Sequence, residues 1–323
     1  MIHPEVSKFR EIGAGDRRFM YRIYMILFLV IALSTYLHHA YPSILSVPSN
    51  RDVTTWKNPT FEQTMLYERM TEVERQKVRS EGVPDGGSLS VQFAVDLFMV
   101  LVSWFCYRHA RDNHGFWMAS CFFIGSFIFT GLEESLWILS GRYLGGLTYL
   151  PPGGVLFGTY WFTKGGFWFI ETPLVACLGW FAIAYSCVWV AGKVFPRRGY
   201  WGRAAVGGLI AMGLDLWGDP VATSPELMNW VWAKGDFFLL FGIPSYNFIA
   251  WFLIIFVFAV FWEKLPEMER KWGPRKAWWR FFALCTTSTL FLAVFIYFSW
   301  FVLASRLFLL TSAASPLIIP LGW

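Results

Sequence analysis

The chain has 323 residues, 56% of them apolar and only 15% charged, and carries a net charge of +5. A soluble domain carries about a quarter charged residues, so this balance excludes an ordinary soluble fold. Long apolar runs alternate with short basic clusters, the pattern of a membrane bundle whose loop lysines and arginines set orientation rather than bind nucleic acid.

In chain order, apolar runs predict spans at about 20–40, 91–107, 116–139, 168–192, 203–219, 243–262 and 281–305. Each is close to the roughly 20 residues a helix needs to cross. The expected fold is all-α, a polytopic transmembrane helical bundle of about seven spans. Arg17-Arg18 precede the first run, which reads as a retained span rather than a cleavable leader. A long polar segment, 41–90, separates the first two spans, and its charge-dense part from Phe61 to Ser80 reads as a surface helix. Residues 1–110 then form an N-terminal region and 111–323 a helical core. The tail from Arg306 to Trp323 is short and carries Pro316 and Pro320, which suits the outer interface or a re-entrant segment better than an eighth span. No internal repeat is apparent.

Counting Lys and Arg orients the bundle. With the N-terminus in the cytoplasm, 17 lie inside: five up to the start of the first span, Arg108 and Arg111, four from Lys193 to Arg203, and six from Lys264 to Arg280. Of the ten outside, six lie in the long loop, which the positive-inside rule discounts. The expected location is a bacterial cytoplasmic (inner) membrane. The five cysteines, Cys106, Cys121, Cys177, Cys187 and Cys285, lie in apolar stretches without C-x-x-C spacing and read as small apolar filler. His38 and His39 are adjacent and His109 and His114 flank an inner turn, so no metal site is expected. Neither a glycine-rich phosphate loop nor a Ser-His-Asp order is visible, which argues against nucleotide-driven transport and nicotinamide chemistry.

Carboxylates within a bilayer are costly and mark function. Asp96, Glu133, Glu134, Glu171, Asp215, Asp219 and Asp236 all fall in the outer half under this topology, which predicts one polar pocket open to that side. Glu133, Glu171 and Asp236 read as residues touching interfacial water. Asp215 and Asp219 do not: Ala204, Gly208, Ala211, Asp215 and Asp219 share one helical face. Small residues mark the packed face of a membrane helix, so both aspartates should point into the bundle. Asp219 precedes Pro220, which predicts the helix end there. The partly negative carbonyl end and burial both disfavour an anion, so a protonated Asp219 sharing its site with Asp215 is expected, an arrangement for acid–base work. Gly242-Ile243-Pro244 breaks the start of the sixth span, and Asn247 follows one turn in, placed to hydrogen-bond a carboxylate or a water. Most of the 19 tryptophans belong to the interfacial belt, but Trp217, Trp230, Trp232 and Trp251 lie close in sequence to the aspartates. Their rings suit a long apolar ligand or a cation.

The elements Asp215-Leu216-Trp217-Gly218-Asp219-Pro220-Val221-Ala222, Trp230-Val231-Trp232, Gly242-Ile243-Pro244, Asn247-Phe248 and Trp251 occur in order. With Glu134, Phe157-Gly158-Thr159-Tyr160 and Trp180 upstream, they resemble the membrane carotenoid biosynthesis family over roughly residues 130–262. That family includes carotenoid 1,2-hydratases acting on γ-carotene and on bacterioruberin precursors. The resemblance implies a hydro-lyase adding water to a terminal isoprenoid C=C of an acyclic (ψ-end) carotenoid, with no cofactor and no metal. It implies Asp219 as the acid, Asp215 as cation stabiliser or water base, and Glu134 as a second water-handling group, with these labels exchangeable. Tyr160 and Asn247 would orient water, and Trp217, Trp230, Trp232 and Trp251 would line the substrate. The partner would be a carotenoid or similar long isoprenoid lipid entering from the membrane lipids. A second reading is a non-catalytic carotenoid- or quinone-binding accessory subunit of a photosynthetic or respiratory membrane complex, which the Trp-rich surface and long outer loop also suit. A proton-coupled transporter fits less well, because the carboxylates cluster on one side.

Overall fold

The computed structural model describes residues 13–41, 70–81, 89–144, 160–162, 164–224, 227, 229–232 and 239–296. Among these, seven helices carry the fold: α1 (Ala14–Ala40), α2 (Glu72–Glu81), α3 (Leu89–Leu144), α4 (Leu174–Val194), α5 (Tyr200–Ala222), α6 (Ser245–Trp272) and α7 (Pro274–Ile296). Four of them, α1, α3, α4 and α6, are long and apolar enough to cross a membrane. Six short strands accompany them: β1 (Tyr160–Phe162), β2 (Trp168–Phe169), β3 (Thr172–Pro173), β4 (Trp230–Trp232), β5 (Leu239–Leu240) and β6 (Ile243–Pro244).

Helix α3 has 56 residues, about 84 Å if straight at 1.5 Å per residue. It is not straight. Gly115 adopts φ 78°, a conformation glycine reaches without a Cβ clash, and the chain folds back on itself there. Tyr107 Oη lies 3.0 Å from Ser120 Oγ, where thirteen residues of straight helix would separate them by roughly 20 Å. The arms 89–114 and 116–144 are therefore antiparallel. Gly273, at φ 79°, makes the corresponding turn between α6 and α7. The expected division of the chain near residue 110 falls in the last turn of the first arm.

The described residues are mostly helical, as expected, but three short two-stranded ribbons gather where α4 and α6 begin: β1 with β4, β2 with β3, and β5 with β6. The fourth apolar run predicts helix from residue 168, yet α4 begins at Leu174 with Pro173 as its N-cap. Side chains from elsewhere satisfy the backbone of the β2–β3 hairpin. Trp168 N–H donates to Thr35 Oγ1 (2.9 Å) and Ile170 N–H to Ser34 Oγ (3.0 Å). His38 Nε2 and His39 Nε2 lie 2.6 and 2.7 Å from the carbonyls of Ile170 and Gly166, and Phe167 N–H donates to Asp96 Oδ2 at 2.7 Å. Those bonds pair polar backbone groups that extended chain enclosed in the bundle would otherwise leave unsatisfied. Helix α5 also departs from expectation. It continues through Pro220 to Ala222, because the Thr223 N–H and hydroxyl both donate to the Asp219 carbonyl (2.9 and 2.8 Å) and hold the last turn. Of the surface helix expected over 61–80, the described part is α2, entered through a capping box in which Thr71 and Glu74 bond reciprocally. Asp236 and the tail from Arg306 lie outside the described residues.

The same succession of elements occurs twice, although no repeat is apparent in the sequence. Gly115-Phe116-Trp117 opens the second arm of α3, followed by β1, the β2–β3 hairpin and α4. Gly199-Tyr200-Trp201 opens α5, followed by β4, the β5–β6 hairpin and α6. Each hairpin turns on a non-glycine residue at positive φ, Ile170 (57°) and Phe241 (54°), and each ends in a proline that caps the next helix, Pro173 and Pro244. Trp180 and Trp251 each stand seven residues after their proline, and their ring centroids are 4.1 Å apart. Strands β1 and β4 pair antiparallel, Tyr160 opposite Trp232 and Phe162 opposite Trp230, as a local twofold relation between halves requires. The shared residues are few, and the order of elements is what makes the repeat legible.

Helix α5 packs by small residues. Ala204, Gly208 and Ala211 are buried, and a Cβ on Gly208 would lie 2.6 Å from the Phe252 carbonyl oxygen of α6. A backbone oxygen cannot rotate away, so the helices would have to part. Gly208→Val is expected to cost about 1–3 kcal/mol, read as a lowered thermal midpoint of the purified protein in detergent. At the other end of this helix pair Arg203 clamps Glu263 through Nε and Nη2, while Nη1 donates to the Arg198 carbonyl. Beneath the ribbons, Phe122 is ringed by Phe181, Tyr185, Phe258 and Trp262 at centroid distances of 4.9–6.0 Å, which fills the bundle below the ribbon end.

Candidate active site

The ribbon end of the bundle collects acids from both halves. The second arm of α3 brings Glu133 and Glu134, and α5 brings Asp215 and Asp219 one turn apart. Glu134 stands 19 residues beyond Gly115 and Asp219 stands 20 beyond Gly199, so each repeat carries an acid near the same end of its helix. Glu134, Asp215 and Asp219 are 9%, 1% and 3% exposed. Asn247, in the first turn of α6, ties the aspartates together: its Nδ2 lies 2.9 Å from Asp215 Oδ2 and 2.6 Å from Asp219 Oδ2, one N–H for each.

Glu134 is held differently. One carboxyl oxygen accepts from the Tyr160 hydroxyl on β1, and the other accepts from Trp180 Nε1 on α4 at 3.0 Å. Each oxygen thus has a fixed donor. Glu134 lies close enough for its charge to act on Asp219 and Asp215. By contrast, Asp215 Oδ1 is buried with no hydrogen-bond partner among the described residues, and so is Trp232 Nε1. Asp215 and Asp219 also interact directly through their carboxyl groups. The arrangement combines a bridged pair of carboxyls, a third carboxyl with both oxygens bonded, one free buried oxygen and aromatic walls. It can give and take a proton beside an apolar chain.

The structure brings together most of the residues expected from sequence. Asp215, Asp219, Glu134, Tyr160 and Asn247 form one hydrogen-bonded and electrostatic cluster, although Tyr160 and Asn247 bond the carboxyls directly. The Trp232 ring lies 4.6 Å from that of Tyr160, and Trp251 lies against Trp180. Trp230 sits one cross-strand pair further along, against Phe162 at 5.9 Å. Trp217 stands apart. Two residues from Asp215, it is turned roughly 200° around the helix, and it is 68% exposed on the outer surface of α5. The expectation that Glu133 and Glu171 touch interfacial water does not hold, because protein encloses them: Glu133 beside Trp137, and Glu171 in the turn of the β2–β3 hairpin, where its N–H donates to Ser135 Oγ. The single pocket divides as well, since Asp96 binds hairpin backbone instead of joining the cluster. Trp180, which its place in the sequence motif leaves without a task, is a direct partner of Glu134. The one signal that marks it is its shared spacing from proline with Trp251.

A family model described as carotenoid biosynthesis protein matches residues 95–319, from the first arm of α3 onward. No curated protein and no solved structure matches the chain.

Proposed function

Since the chain belongs to the carotenoid biosynthesis protein family, matched over 225 of its 323 residues, we propose that it is a membrane enzyme adding water to the terminal C=C of an acyclic (ψ-end) carotenoid. The observation that carries this reading is the bridged Asp215–Asp219 pair with one buried oxygen free, facing a fully bonded Glu134. Asp219 delivers its proton to the less substituted alkene carbon, and the π pair forms the new C–H bond. The tertiary cation left behind is held by the Glu134 carboxylate and by the π faces of Tyr160, Trp232 and Trp251. Water adds through its oxygen, and its proton passes to Asp215 Oδ1. That proton returns to Asp219, one helical turn away, and the pair is reset with no net proton gained or lost. The three aromatic side chains that hold the cation come from both repeats.

In the same reading, the turn at Gly115 divides α3 into two spans, and α5 and α7 also cross. That makes seven spans with the N-terminus cytoplasmic in a bacterial inner membrane, and it places the ribbons and the site toward the outer face. Residues 111–323 are the catalytic core, and the isoprenoid end enters from lipid. The test is expression in a lycopene-accumulating host grown in oxygen-18 water, with pigments analysed by chromatography and mass spectrometry. A more polar carotenoid heavier by one labelled water is expected. Unchanged lycopene and other ψ-ended carotenoids in the presence of folded protein would overturn the hydratase. A pigment co-purifying at fixed stoichiometry would then identify a binding subunit.

A further inference from the structure

We infer that Trp180 is a positioning residue of this site, holding Glu134 in a fixed orientation through its indole N–H. The inference rests on the hydratase reading. Indole Nε1 is a donor only, so Trp180 moves no proton. What it supplies is geometry. Its N–H reaches Glu134 Oε1 at 3.0 Å from a neighbouring helix, while Tyr160 takes the other oxygen from the ribbon. Donors from two separate elements stop the carboxyl from rotating and leave its charge already oriented when the cation forms, so no reorganisation is required at that moment.

Two further observations set this bond apart from incidental pairing. The indole N–H groups of buried Trp117, Trp262 and Trp278 find no hydrogen-bond partner among the described residues, so a paired N–H is not what burial alone brings about in this bundle. The Trp180 ring is also locked from below by Trp251, its counterpart in the second repeat, at 4.1 Å and 33°. The ring therefore cannot swing away without breaking the contact between the two repeats.

Trp180→Phe keeps an aromatic ring against Trp251 and removes the donor. In the purified protein acting on a ψ-ended carotenoid, kcat is expected to fall about tenfold, with KM within about twofold of the parent. Glu134→Gln alone is expected to fall about a hundredfold. The double variant should be no slower than Glu134→Gln, because Trp180 acts only through Glu134. Effects that multiply to about a thousandfold in the double variant, or a Trp180→Phe kcat equal to the parent's, would overturn the role. Should Trp180→Phe fail to fold, benzothienylalanine at position 180 preserves the shape without the N–H, and the same comparison applies. If the parent protein makes no hydrated carotenoid, the hydratase reading falls and takes this role with it. If the parent is active and the effects multiply, only the role of Trp180 falls.

Discussion

Under the proposed hydratase mechanism, Asp219→Asn is expected to lower the rate of carotenoid hydration by about 10²–10⁴-fold, the usual contribution of a positioned general acid, with little change in folding. Asparagine has the same shape, and its carbonyl oxygen still accepts from Asn247, which lies 2.6 Å from Asp219 Oδ2. The last turn of α5 is held by the backbone carbonyl of residue 219, which the substitution leaves alone. What is lost is the proton for the alkene carbon and the acceptor that takes the proton back from Asp215. Initial rates in detergent or proteoliposomes, alongside the thermal midpoint, separate the two effects. A variant that folds and turns over at the parent rate would remove Asp219 from the acid role and leave Asp215 as the remaining member of the pair.

Glu134→Gln is expected to slow the same reaction by about a hundredfold, comparable to removing one preorganised electrostatic partner of a transition state. The amide is neutral, so the developing tertiary cation loses the charge that faces it. The substitution also turns one oxygen into an NH₂ group. Of the two present donors, the Tyr160 hydroxyl can rotate to accept, whereas the Trp180 N–H cannot. The amide is therefore expected to settle with its oxygen toward Trp180, close to the parent geometry. Single-turnover rates at saturating carotenoid isolate the chemical step. A rate within twofold of the parent would show that the cation is held by aromatic faces alone. The pair of predictions also distinguishes the acids by kind: the change at Asp219 removes a transferable proton, and the change at Glu134 removes a fixed charge.

Much of the bundle is legible in the amino-acid sequence. The apolar runs at 20–40, 91–107 and 116–139 correspond to α1 and the two arms of α3, and the stripe from Ala204 to Asp219 is buried along α5. These features depend on hydropathy over contiguous residues and on a 3.6-residue period, both of which are local properties of the chain. Asp215, Asp219, Glu134 and Asn247 can be nominated on the same grounds, and by resemblance.

Other features depend on distance between elements. The hairpin at 168–173 replaces the expected helix because His38, Ser34 and Thr35, more than 130 residues earlier, satisfy its backbone. Trp217 and Trp251 look alike in sequence, yet one faces outward and the other packs against Trp180, since the face a residue presents follows from its angular position and the neighbours there. Glu133 and Glu171 lie enclosed in protein, and Trp180 bonds Glu134 across a helix boundary. Length, apolarity and helical phase are therefore settled by the sequence itself. Which acid receives two donors and which keeps a free oxygen is decided by the tertiary structure, because a hydrogen bond requires two groups within about 3 Å and no local pattern encodes the spacing between helices far apart in the chain.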